Sequence, residues 1–279
     1  PLDQVLQDAR ILQDQGVREI NLIAQDTTDY GSDLGLQDGL SLVLEALLEE
    51  VPEVDWLRVL YAYPGVVSDR LIELMAREER ILPYLDMPFQ HGHPAVLKRM
   101  KRPANLEWIY RTVEKMRDKV PDLALRSTFL VGFPGESEEE FEALLSFIEE
   151  LKFDRLGTFT YSPEEGTEAA RFGDPIPQET KIARQETLMV KQQQISLEKN
   201  QAWIGRTLDV LIEGQGEIED TEEMISLGRS FRDAPEIDGM VIVEGKLPVG
   251  EITPVRITGA MVYDLTGVPA RQVNTLIDK

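Results

Sequence analysis

Residues 123–151 read LALRSTFLVGFPGESEEEFEALLSFIEEL, and this one line contains the repeating unit of the fold. Leu123 to Val131 reads as a strand, a glycine- and proline-bearing turn follows, and Ser137 caps a helix through Leu151. The same alternation returns on both sides. Toward the N-terminus, Leu2 to Gln13 places Leu2, Val5, Leu6, Ala9 and Leu12 at helical spacing, with Gly16 as a stop. Glu19 to Ala24 then reads as a buried strand that runs into the polar turn Gln25-Asp26-Thr27-Thr28. Leu40 to Val51 is helical, Trp56 to Tyr61 extended, Ser68 opens a helix, Leu82 to Met87 is a strand and Trp108 to Val120 is helical. Toward the C-terminus, Arg155 to Tyr161 is the last strand of the series, and a long polar helix spans Gln178 to Asn200. Strands alternating with helices predict parallel strands joined by right-handed crossovers.

The series predicts an α/β architecture, a partial, open parallel α/β barrel over residues 1–200. It opens on a helix, whereas a helix of a βα repeat should follow a strand, so one strand and its loop are expected upstream. Such a barrel would carry an open sheet edge. After Asn200 the pattern changes to short β-rich runs, Thr207 to Glu213, Met240 to Val243 and Ile252 to Met261, separated by Gly and Pro. That spacing predicts a small antiparallel β-barrel over 201–268, with a loose tail at 269–279. Neither repeats nor low-complexity segments interrupt the chain.

The 279 residues carry 51 acidic and 29 basic side chains, a formal charge of −22. Bare nucleic acid is a poor partner for such a surface, and a basic protein a better one. The acidity can also serve solubility alone. The cysteine count is zero, which excludes disulfides, thiolate metal sites and cysteine nucleophiles within this chain. Two histidines, His91 and His93, are too few for a histidine-rich metal centre. The apolar runs are too short to span a bilayer and no secretory leader opens the sequence, so no membrane partner and a cytosolic location are expected.

Ligands of parallel α/β barrels bind at the carboxyl ends of the strands. The five loops found there are 25–31 (QDTTDYG), 61–64 (YAYP), 86–91 (DMPFQH), 132–136 (GFPGE) and 161–167 (YSPEEGT). Polar, aromatic and glycine residues recur at equivalent points of successive units, which a scattered surface would not produce. Each loop also has a plainer reading. Asp26 and Thr27 can form a helix cap, residues 132–136 can be only a tight turn, and His91 alone suits a packed or solvated histidine. Lys98, Arg99, Lys101 and Arg102 form the one basic cluster, either a solvated helix face or a contact for RNA phosphates. Met87, Met100 and Trp108 read as core.

The segments LIAQDTTDYG (22–31), LYAYP (60–64), YLDMPFQHGHPAVLKRMKR (84–102), RSTFLVGFPGE (126–136) and LGTFTYSPEEGTEAA (156–170) resemble the radical S-adenosylmethionine methylthiotransferases. The similarity runs from Leu2 to about Val268 and is strongest to the branch that modifies an aspartate of a ribosomal protein. The C-terminal unit resembles a TRAM domain, a compact β-barrel. The resemblance implies S-adenosylmethionine and two [4Fe–4S] clusters, one held by a CxxxCxxC loop after the first barrel strand and one by a further N-terminal domain. Both lie outside this sequence, so the chain is expected to be a trimmed or partly expressed enzyme, since Pro1 is not a natural initiator. Without thiolates it is expected to hold neither cluster and to be inactive alone.

Carried over residue by residue, the resemblance makes Gln25, Asp26, Gln90 and Arg126 candidates for the methionyl and ribose ends of the cofactor. It brings Gly132, Glu136 and Tyr161 near the adenine or the substrate. Arg126 suits a carboxylate, or pairs with a structural acid such as Glu136. The sequence PFQHGH (88–93), where tRNA-directed relatives tend to show a serine-glycine-serine turn, favours the ribosomal-protein branch. So does the acidic C-terminal unit, with 7 basic and 14 acidic residues over 200–279. The expected substrate is then a basic small-subunit ribosomal protein. The alternatives are methylthiolation of a tRNA adenosine, or a non-catalytic ribosome-binding module.

Overall fold

A computed structural model describes residues 1–218 and 223–270 and divides the chain into two compact units, Pro1–Ile195 and Ser196–Lys279. In the first unit, α1 (Leu2–Asp14), β1 (Glu19–Leu22), α2 (Gly39–Glu50), β2 (Trp56–Val59), α3 (Asp69–Arg77) and β3 (Ile81–Asp86) follow one another. Then come α4 (Pro94–Arg99), α5 (Leu106–Lys119), β4 (Ala124–Val131), α6 (Glu138–Leu151), β5 (Arg155–Thr160) and α7 (Gln178–Gln201), the last reaching past the division. The strands form one sheet in the order β1-β2-β3-β4-β5, and every pair is parallel. Sequential order with helical crossovers is what the alternating pattern predicts.

Local sequence explains the helix starts. Ser68 accepts from Leu71 N at 3.0 Å and Asn105 from Trp108 N at 3.1 Å. Ser137 and Glu140 form a reciprocal capping box at the head of α6. The short helix α4 has no counterpart in the apolar pattern; His93 caps it and Pro94 stands in its first turn.

The core lies between the sheet and its helices. Phe89, Phe129, Phe147 and Phe153 pack with centroid separations of 5.4–6.2 Å, and Tyr110 stacks edge-on against Phe147 at 5.6 Å. These rings join the loop after β3, strand β4, helix α6 and the residues before β5. The two sheet edges differ. Beside β5, Gln185 and Gln192 of α7 donate to the carbonyls of Thr158 and Phe153 at 2.7 and 2.9 Å. Strand β1 pairs with β2 alone among the described residues, and Ile23 just beyond it is 64% exposed.

The second unit is a closed barrel of β6 (Thr207–Glu217), β7 (Met224–Arg229), β8 (Val241–Glu244), β9 (Ile252–Ala260) and β10 (Leu265–Pro269), ordered β10-β8-β7-β6-β9. Strands β7 and β10 lie in segments that the apolar runs do not mark. Four pairings are antiparallel, but β10 closes on β8 in parallel, so the barrel departs from the wholly antiparallel expectation. Pro269, the expected start of the tail, belongs to β10, while 271–279 lie outside the described residues. Val210, Ile212, Val241, Val243, Val255 and Ile257 fill the barrel and are fully buried. No helix among the described residues is long and apolar enough to cross a membrane.

Phe147 touches every ring of the aromatic cluster, so Phe147→Ala should cost roughly 3–5 kcal/mol by transfer and cavity terms. Urea denaturation followed by circular dichroism checks this; a loss under about 1 kcal/mol would show that the cluster collapses onto the gap.

Candidate functional site

The carboxyl ends of the strands are laced to one another. Thr27, buried after β1, donates its hydroxyl to Leu60 O at 2.9 Å and its amide to Tyr61 O at 3.0 Å. Tyr63 N donates to Thr28 Oγ1 at 3.2 Å. Asp86, fully buried at the end of β3, accepts from Arg126 Nη1 of β4 at 2.8 Å, and Ala62 N donates to its backbone oxygen at 2.8 Å. Ser127 Oγ of β4 donates to Met87 O at 2.9 Å and accepts from Phe89 N at 3.2 Å. Gln90 then runs beside β4, with Gln90 N to Thr128 O and Leu130 N to Gln90 O both at 2.9 Å.

Three residues just beyond β2, β3 and β4 adopt left-handed backbone: Tyr61 at φ +57°, Gln90 at +72° and Gly132 at +73°. For Tyr61 and Gln90 that conformation is costly and persists because the lacing over-determines it, a pattern concentrated at ligand sites. At Gly132 the requirement is also steric, since a Cβ there would collide with the Lys181 side chain.

The loop of residues 132–136 closes around one buried carboxylate. Glu136 Oε2 accepts from Gly132 N at 2.6 Å and Phe133 N at 3.1 Å, while Oε1 accepts from Arg184 Nη1 of α7 at 3.0 Å. Burial pushes this carboxyl above its usual range, opposed by Arg184 and the two amides. His91 Nδ1 accepts from His93 N at 2.9 Å, which places the ring proton on Nε2, 3.9 Å from Glu136 Oε2 and without a hydrogen-bond partner. Burial, then the neighbouring His93, lowers its pKa to about 3, so the imidazole is neutral. One turn before Arg184, Lys181 is fully buried, donating to Tyr161 O at 2.8 Å and pairing with Asp174 at 2.5 Å.

A cavity of about 430 Å³ opens where β3, β4 and β5 end; Gln90, Leu130, Phe133, Thr160 and Tyr161 form one side and Arg99 to Arg102 another. Tyr161 stacks edge-on with Phe133 at 5.3 Å, and its hydroxyl is buried without a partner. Burial pushes that phenol up, so it is a neutral donor and acceptor.

The sequence-derived candidates therefore separate. Gln90 and Tyr161 share the cavity, and Gly132 and Glu136 form the loop behind it. Arg126 takes Asp86 as its acid and not Glu136, because Asp86 stands in register with it on β3 while Glu136 is claimed by α7. Asp26 caps the turn of residues 27–29 through Thr28 N at 2.9 Å. It lines a different hollow of about 560 Å³ beside β1, α1 and α2. Gln25 is exposed and lines neither. Sequence reasoning missed Asp86, Lys181 and Arg184. Only the i, i+3 spacing of two cations in a polar helix hints at the last pair.

Removing Arg184 leaves a charged carboxylate buried, so Arg184→Met should destabilise by roughly 3–5 kcal/mol, with Glu136→Gln restoring part of the loss in the double variant. His91 has a depressed pKa in the fold, so its contribution is present above about pH 6.5 and is lost as pH falls toward about 3. Between pH 6.5 and 5 that loss should reach about 2 kcal/mol. Denaturation at the two pH values should show it in the native chain and a flatter response in His91→Gln.

Comparison with known proteins gives this geometry a lineage. Residues 1–148 match the model of the radical SAM superfamily, and residues 204–269 match that of the TRAM domain. Proteins named "Ribosomal protein uS12 methylthiotransferase RimO" resemble the chain closely. The one from Roseiflexus sp. is 51% identical over 94% of this chain and 56% of its own length. That from Chloroflexus aurantiacus is 50% identical over 96% of this chain and 58% of its own, and that from Thermus thermophilus 46% over 95% and 62%. The chain thus spans less than two thirds of these relatives. Among solved structures, Escherichia coli coproporphyrinogen III oxidase (HemN) superposes with a TM-score of 0.54 at 17% identity, covering 70% of this chain and 45% of that one, a likeness of fold alone. The superfamily match takes in β1 through β4 and most of α6, the elements that carry the laced rim, and the chain belongs to the radical SAM superfamily.

Proposed function

We propose that this chain is the radical SAM and TRAM portion of a cytoplasmic enzyme that methylthiolates an aspartate of ribosomal protein uS12. What carries the reading is the likeness, at 46–51% identity across 94–96% of the chain, to proteins named for that activity. The rim supports it with a cavity of about 430 Å³ lined by Gln90, Phe133 and Tyr161. Such a cavity suits a cofactor with an aromatic base and several polar groups.

In this reading Gln90 and Tyr161 contact S-adenosylmethionine in that cavity, Gly132 and Glu136 shape the loop beside it, and Arg126 acts through Asp86 at the end of β3, while Gln25 and Asp26 at the end of β1 lie off that cavity. Tyr161 offers its ring and Gln90 an amide to the cofactor, while Glu136 acts by shaping the loop beside them. The [4Fe–4S] clusters have a different standing. Their ligands are thiolates, the sequence has no cysteine, and no group of three or more His, Asp or Glu among the described residues could hold a metal ion. Residues of this chain do not fit a cluster, and both clusters are proposed to be held outside it. This chain alone should then not cleave the cofactor reductively.

The net charge of −22 favours the basic protein substrate over tRNA. Purified uS12 should bind the chain with an affinity that falls as salt is raised, while unmodified tRNA should show no comparable binding. Fluorescence anisotropy at two ionic strengths tests this, and tight tRNA binding with a steep salt slope would transfer the reading to the tRNA-modifying class.

A further inference from the structure

The four cations at 98–102 stand out in an acidic chain, and the structure gives those lining the cavity different fates. Arg99 is spent on Glu140, reaching its two carboxylate oxygens at 2.9 and 2.7 Å. Lys101 closes an ion pair with Glu168. Arg102 has no carboxylate partner among the described residues. Its guanidinium lies over the Tyr63 ring at 5.4 Å, half-buried, on the wall of the cavity shared with Gln90 and Tyr161.

The placement of Arg102 is prepared from both sides. Tyr63 is tied to the loop after β1 through Thr28 Oγ1. Arg102 N donates to Leu97 O at 2.8 Å, and the residue before it, Lys101, is left-handed at φ +55°. An arginine fork held on an aromatic face and not spent on an internal acid is preorganised for a planar, bidentate anion. Its neighbours narrow which anion. Glu164 lines the same cavity, Glu165 adjoins it in sequence and is exposed, and neither has an ion-pair partner among the described residues. One available cation beside two available acids mirrors one acidic side chain within a basic polypeptide segment. A run of phosphates would be repelled by the acids beside the arginine.

We propose that Arg102, seated on Tyr63, is the specificity residue that receives the carboxylate of the substrate's acidic side chain, while Glu164 and Glu165 meet the basic residues flanking it. This rests on the proposed reading that the rim receives a ribosomal protein, and it names the residue that would select the side chain.

The test uses two fluorescein-labelled basic peptides of one sequence, with a central Asp or Asn, and a single-stranded RNA of equal length. Each is titrated with the full chain, with Arg102→Gln and with Arg102→Lys at one ionic strength. The native chain should prefer the Asp peptide by about tenfold or more, the size of a charge-assisted bond. Arg102→Gln should bring that preference to within about twofold while leaving the thermal midpoint and the Asn-peptide affinity unchanged. Arg102→Lys should recover part of it, a point charge without the fork, and serves as the second variant should Arg102→Gln melt early. Glu164→Gln should weaken both peptides alike. An Asp preference that survives in both Arg102 variants overturns the role of Arg102 and leaves the substrate reading standing. RNA bound more tightly than either peptide overturns the carboxylate assignment in favour of a phosphate. Failure of the native chain to bind either peptide overturns the ribosomal-protein reading and this inference with it.

Discussion

The buried carboxylate of Glu136 is the constraint from which the rest of the rim follows. A charge in the interior is costly unless it is paired and hydrogen-bonded. Here two amides of its own loop and a guanidinium from α7 satisfy it. The amides force residues 132–136 into a tight curl, and the guanidinium forces α7 to lie against that curl. With Arg184 in place, Lys181 stands over Gly132 and donates to Tyr161 O, so the loop after β5 is held by the same helix. Three segments far apart in sequence thus share one electrostatic anchor.

The lacing of the other strand ends works on the same principle with smaller groups. Thr27, Asp86 and Ser127 are buried polar residues, and each joins the loop of one strand to the backbone or side chain of the next. Because these bonds are buried, leaving one unmade costs more than making it gains. They can therefore hold Tyr61 and Gln90 in a backbone conformation those residues would otherwise avoid. The barrel of the second unit has its own buried polar anchor: Arg232 donates to Asn200 at 3.0 Å and faces the Trp203 ring at 5.1 Å.

Much of the fold was legible because it is written in periodicity and capping. Among the described residues, the five parallel strands and six of the seven α-helices follow from local runs of sequence, and Ser68 and Ser137 cap their helices as the sequence suggests. Helix α4 escaped because six residues are too few for a period. Strands β7 and β10 escaped because Met224–Arg229 and Leu265–Pro269 mix glycine, polar and apolar residues, and their burial depends on neighbours across the barrel. The site was legible as a set of loops but not as a set of contacts. Asp26 bonds within its own turn, and Arg126 chose Asp86 over Glu136 because strand register places Asp86 beside it.

Sequence alone determined the alternation of strands and helices up to about residue 200, the change of architecture after it, and the absence of thiolate ligands in this chain, since each is a property of local pattern or composition. Tertiary structure decided which cations are spent and which remain available. Arg184, Lys181, Arg99 and Arg102 are alike in the sequence only as cations. Their roles depend on carboxylates and rings 39 to 48 positions away, or, for Lys181, on a carbonyl 20 positions back, and only the packed sheet brings these within bonding distance.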